Sequence, residues 1–156
     1  MKTGIIIYSQ TGNTNAAAEK IKIKLIAGGH SVEIEKIEIE GEIKPEMDDI
    51  VFKSVPETEK YDAIVFGSPV QSFSLNPVMK NYLDQLHSLK GKKIACFVTK
   101  GLPGRFTGGN QAIRTMLAVC EEKGGTVQET GVVVWSGSRE ETIKGIAEKI
   151  GKSFQQ

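Results

Sequence analysis

Ile5-Ile6-Ile7-Tyr8-Ser9-Gln10-Thr11-Gly12-Asn13-Thr14 is the stretch whose reading decides the fold. An unbroken apolar run marks a strand covered on both faces, because a half-exposed strand would alternate with polar residues. A polar turn follows at once and leads into a helical pattern, with Ala18, Ile21 and Leu25 at helical spacing and a stop at Gly28-Gly29. Hydroxyls, amides and a glycine therefore crowd a helix N-terminus, where free backbone N–H groups and the positive end of the helix dipole favour a phosphate. Gly12 permits a close backbone approach. Neither Lys nor Arg occurs between Lys2 and Lys20, so the nest is neutral and suits a phosphate monoester held by hydrogen bonds. The same residues also suit an ordinary polar turn with an N-cap, and the turn alone leaves both readings open.

Working outward, the arrangement repeats. Ala63-Ile64-Val65-Phe66, Ile94-Ala95-Cys96-Phe97-Val98 and Val132-Val133-Val134-Trp135 are further continuous apolar runs, whereas Val32 to Ile39 alternates apolar and charged residues as a sheet edge does. Helical patterns lie between them. One opens with Asn76-Pro77 and points Met79, Leu83 and Leu86 inward. Another carries Ile113, Met116, Leu117 and Cys120 up to Gly124-Gly125. The last opens with a capping box, Ser138-x-x-Glu141, and buries Ile143, Ile146, Ala147 and Ile150. Between Gly41 and Lys60 a short helix is expected around Ile50, Val51 and Phe52. Strand and helix alternate throughout, which predicts a doubly wound α/β sheet with its ligand outside the carboxyl ends of the strands.

A chain of 156 residues is expected to form one domain, residues 1–156. Its net charge of +1, from 20 Lys+Arg against 19 Asp+Glu, leaves no nucleic-acid footprint. No apolar run is long enough for a membrane span, and the first strand is too short for a signal peptide. Cys96 and Cys120 read as inert buried thiols without C-x-x-C spacing, and the expected compartment is the cytoplasm. His30 and His87 read as surface residues, and no metal site is expected.

Ser9-x-Thr11-Gly12-Asn13-Thr14 after Ile5–Tyr8 resembles the phosphate-binding signature of the flavodoxin family. Tyr61-Asp62-Ala63-Ile64-Val65-Phe66-Gly67-Ser68-Pro69 resembles that family's third strand and the loop after it. The resemblance covers most of the chain outside 41–60. It implies FMN as cofactor and a flavodoxin-like five-stranded parallel sheet ordered 2-1-3-4-5, with helices on both faces. Carried over by position, Ser9, Gln10, Thr11, Gly12, Asn13 and Thr14 would hold the FMN phosphate. Ser68, Pro69, Val70, Gln71, Ser72 and Phe73 would border the isoalloxazine ring, and Thr99, Lys100 and Gly101 with Phe106 would close its other side. Phe73 and Phe106 are the aromatic candidates for stacking, and both also suit a role as loop anchors.

Other phosphate-handling folds of this shape find little support in the sequence. No G-x-x-x-x-G-K-[ST] occurs, and no G-x-G-x-x-G follows the first strand. Phe66-Gly67 stands where a response regulator needs an acid, and the first loop lacks the Cys of a low-molecular-weight phosphatase.

The resemblance implies an electron-transfer protein that shuttles electrons between redox partners. Carriers of that family are usually strongly acidic, whereas this chain is near neutral. From Ala95 to Val119 it has no Asp or Glu but holds Lys100, Arg105 and Arg114. A unit charge ~10 Å from the ring, at an effective dielectric of ~20–40, is worth about 1 kcal/mol. Such cations would favour the reduced, anionic flavin and could also meet an NAD(P)H phosphate. The alternative is therefore an FMN-dependent NAD(P)H oxidoreductase resembling the quinone reductases. No catalytic side chain is assigned, since the flavin itself would do the chemistry.

Overall fold

The computed structural model describes residues 2–41, 50–101 and 108–155. Strand β1 (Lys2–Ile7) lies inside the sheet, parallel to β2 (Ser31–Lys36) on one side and to β5 (Ala63–Gln71) on the other. Strands β7 (Lys93–Lys100) and β8 (Thr126–Val134) continue it, giving the parallel order β2-β1-β5-β7-β8. This is the expected order 2-1-3-4-5. A short β6 (Ser74–Leu75) folds back antiparallel on the end of β5.

The unbroken apolar runs serve two cores at once. Ile5 and Ile7 pack with Val65, Ala95 and Phe97 under α1 (Asn13–Ala27) and α4 (Arg139–Ser153). Ile6, Ile64, Phe66, Cys96 and Val98 face the other way, against α2 (Pro77–Asp84) and α3 (Gly109–Glu122). All ten of these strand side chains are fully buried, and each large one contributes about 1.5–3 kcal/mol. Helices thus cover both faces, and the sheet's carboxyl edge is left to the loops. Both cysteines are buried and free, as expected. Contact with Cys120 and burial push the Cys96 thiol up, away from the reactive thiolate.

Three local expectations are corrected. Between 50 and 60 the chain forms strand β4 (Phe52–Ser54), paired antiparallel with β3 (Glu38–Ile39), and no helix. Residues 50–54 alternate between half-buried and exposed, the period of a strand; residues 42–49 of that expectation lie outside the described residues. His30 is buried, because its N–H closes the end of α1 on the Leu25 carbonyl at 3.0 Å and draws the ring in against the helix. His87 is exposed. Ser138 does precede α4, but its side chain caps nothing. Glu140 instead pairs with Lys20 of α1, and that ammonium holds the carboxyl below its ordinary range.

The face of β2 that bears Glu33 and Glu35 is roofed by Tyr61. Its hydroxyl donates to Glu33 Oε2 at 3.0 Å and also to Glu35, while Lys60 bridges both carboxylates at 3.3 and 3.6 Å. Burial and the two glutamates drive the Tyr61 hydroxyl well up, so it stays a donor.

Candidate functional site

Strands β1, β5 and β7 end side by side, and the segments expected to carry chemistry leave the sheet along that one edge. After Tyr8 the chain turns, and Ser9 Oγ accepts the Asn15 N–H at 3.3 Å. Gly12 stands at the N-cap of α1 with φ +92°, and a Cβ there would meet nothing within 4 Å. Backbone conformation, rather than crowding, is what calls for glycine. No side chain at the N-cap and no acid in the first turn balances the positive end of α1. Helix α2, by contrast, is capped by Asn76, and α4 carries Glu140 and Glu141 in its first turn, whereas α3 starts behind Gly108 uncapped and acid-free like α1.

Thr14 points inward. It is 1% exposed, and its hydroxyl shares a 2.7 Å hydrogen bond with that of Thr99 at the end of β7. In the same first turn, Asn15 Oδ1 is buried without a partner.

Ser68, Pro69, Val70 and Gln71, expected in a loop, extend β5. Proline is tolerated at 69 because β1 has already ended at Ile7, opposite Gly67, so the missing N–H faces no strand. The buried Ser68 hydroxyl donates to the Pro69 carbonyl at 3.1 Å. The true turn is only Ser72-Phe73, with Val70 opposite Leu75 and Gln71 opposite Ser74. Both turn residues are left-handed, at φ 50° and 62°. That geometry suits a two-residue hairpin but is strained for residues with side chains. Gly108, before α3, presses on the tip: a Cβ there would lie 2.4 Å from the Phe73 backbone. The Phe73 side chain is left 64% exposed.

Asn76 is fully buried behind this hairpin. Its Oδ1 accepts the Val78 N–H at 2.9 Å, and its Nδ2 donates to Gln71 Oε1 at 2.8 Å and Gln10 Oε1 at 3.5 Å.

The end of β7 is braced from β8. Trp135 N–H donates to the Lys100 carbonyl and Ser136 Oγ to that of Gly101, each at 2.8 Å. Arg139 stacks 4.8 Å from the Trp135 ring centre and donates to its carbonyl at 3.1 Å. The Lys100 methylenes pass the start of α3, 3.4 Å from where a Cβ on Gly109 would be. Phe106 and Arg105 lie outside the described residues.

The geometry thus brings Ser9–Thr14, Gln71–Phe73 and Thr99–Gly101 to one edge. Sequence reasoning did not single out Asn15, Trp135, Ser136 or Arg139, and saw Asn76 only as a helix cap. The rule that ligands gather at the carboxyl ends of strands would have pointed to Trp135–Arg139. Two grooves flank the edge: one of about 520 Å³ touches Ser9, Gln10 and Tyr8 beside Ile37 and Lys53, and one of about 560 Å³ lies along Trp135–Glu141. Burial raises the Tyr8 hydroxyl, partly offset by its bond to Gln10.

A family model described as NADPH-dependent FMN reductase matches residues 1–139. The chain belongs to the NADPH-dependent FMN reductase family. FMN is therefore its flavin. The fold is flavodoxin-like. An archaeal flavodoxin superposes with a TM-score of 0.72 at 20% identity, covering 100% of both chains. Flavodoxin 2 of Bacillus cereus gives 0.73 at 24% identity, over 99% of this chain and 97% of its own. An FMN-bound flavoprotein of Lactobacillus acidophilus gives 0.66 at 21%, over 94% and 98%. No curated protein matches.

The residues present suit the flavin of this FMN reductase family. Its phosphomonoester fits the uncapped, acid-free N-terminus of α1 beside open space at Gly12. Its ring fits an exposed aromatic face such as Phe73. Among the described residues no cluster of His, Cys, Asp or Glu could hold a metal, and no helix is long and apolar enough to cross a membrane.

Proposed function

We propose that the chain, residues 1–156 as one domain, is an electron-transfer flavoprotein that passes electrons between redox partner proteins in the cytoplasm. In this reading Ser9–Thr14 hold the FMN phosphate, Ser68–Phe73 border the ring and Thr99–Gly101 close the other side. One observation carries it: these three segments contain no His, Cys, Tyr, Asp or Glu. Apart from the Lys100 ammonium, they offer a substrate no acidic or basic side chain to give or take a proton, which a carrier does not need. FMN supplies reversible one- and two-electron chemistry. The chain's own residues bind the phosphate, flank the ring, and set its charge environment through Lys100.

A second reading is an FMN-dependent NAD(P)H oxidoreductase. The family's description favours it, and Lys100 would then meet a nucleotide phosphate. Anaerobic mixing of the FMN-loaded protein with NADPH separates the two. A carrier keeps its yellow colour with NADPH alone, and after chemical reduction passes electrons to a one-electron acceptor. Bleaching by NADPH at about 1 s⁻¹ or faster, with transfer on to a quinone, replaces the first reading with the second.

A further inference from the structure

We propose that Asn76 is a positioning residue whose one buried amide holds the phosphate loop and the ring-side hairpin in fixed relation to helix α2. The proposal rests on the assignment of FMN to these loops, and holds for carrier and reductase alike.

A helix N-cap needs only an acceptor oxygen, which Ser, Thr or Asp would provide as well. What asparagine adds is two N–H donors. Here the Oδ1 serves the cap through Val78 N–H, and the Nδ2 goes to Gln71 and to Gln10. Gln10 is the second residue of the phosphate loop. Gln71 is the last residue of β5 before the strained Ser72-Phe73 turn. One group, 0% exposed, thus touches both halves of the site. Its own direction is set twice over, by the cap bond and by Pro77, which restricts Asn76 to the extended backbone it shows at ψ 133°. A buried amide that loses its partners keeps the desolvation cost without the bond, so a shift of either loop is resisted. The tie to Gln71, at 2.8 Å, is the stronger; the contact to Gln10 is at the limit of a hydrogen bond.

The test is a double-variant cycle on FMN affinity. Asn76→Ser keeps an acceptor for the cap but cannot reach the loops. We expect the apoprotein's melting temperature to stay near that of the wild type, FMN to bind about tenfold more weakly, and the visible circular dichroism of the bound flavin to change. Gln71→Ala should weaken binding similarly, and the double variant should be no worse than the weaker-binding single one, because both remove the same tie. Asn76→Asp, which keeps the cap and the side-chain shape, replaces the serine variant in the cycle if the latter does not fold. Gly12→Val serves as the control for the site itself. Unchanged FMN affinity in Asn76→Ser while Gly12→Val binds poorly overturns the tie alone, as does strict additivity in the cycle. Unchanged affinity in both overturns the FMN assignment, and the tie with it.

Discussion

Thr14 and Thr99, 85 residues apart in sequence, share a 2.7 Å hydrogen bond between their hydroxyl oxygens in the interior where α1 meets β7. Each is at most 3% exposed, so neither hydroxyl has water as a substitute partner. The bond fastens the start of α1 to the end of β7, next to Lys100.

Thr14→Val removes one hydroxyl and leaves the other buried and unpaired. The expected cost is about 1–3 kcal/mol of apoprotein stability in urea unfolding. Adding Thr99→Val removes the orphan, so the double variant should be no less stable than Thr14→Val. A double variant that loses the full sum of the single costs contradicts a shared bond.

The parts of this picture that could be read in the sequence are the local ones. Ile5–Tyr8 and Ile94–Val98 read correctly because a strand buried on both faces has no polar residue to spare. The turn Ser9–Thr14 read as a helix start because its residues are contiguous. Ile50–Phe52 misled because three apolar residues do not distinguish a helix from a strand. What decides there is pairing with Glu38–Ile39, which lies outside the local window. Ser138 misled because a capping pattern states only a preference, and its side chain makes no cap bond. Asn76 was seen as a cap from its neighbour Pro77, but its bond to Gln10 spans 66 residues and leaves no trace in local pattern.

The Tyr61–Glu33 bond carries a pH signature. Donation from Tyr61, then from Lys60, holds the Glu33 carboxyl below its ordinary 4.5. A carboxyl depressed in the folded state contributes stability above its unfolded value, and loses it as pH falls through the folded value. Tyr61→Phe removes the first donor. Its stability deficit against the wild type should therefore be widest near pH 6 and narrow toward about pH 3, followed by the urea midpoint. A deficit that stays constant over that range shows that Tyr61 acts by packing alone.

Lys100 offers an electrostatic test. Lys100→Glu changes the charge beside the start of α3 by two units. If the ring is bordered by Thr99–Gly101 as proposed, the reduced, anionic flavin becomes harder to form, and the midpoint potential should fall by tens of millivolts at low salt. The shift should shrink toward ~1 M salt, where the Debye length is about 3 Å. An unmoved potential in a low-salt redox titration places Lys100 away from the ring.

The central claim is that a neutral nest at Ser9–Thr14 binds the flavin by its phosphate, and comparing FMN with riboflavin tests it most directly. Titration of the apoprotein by flavin fluorescence quenching should show FMN binding at least about a hundredfold more tightly, because charge-assisted hydrogen bonds to the phosphate, each worth roughly 1.5–3 kcal/mol, are absent with riboflavin. Inorganic phosphate should compete with FMN but not with riboflavin. Equal affinity for the two flavins, with no effect of phosphate, contradicts the account.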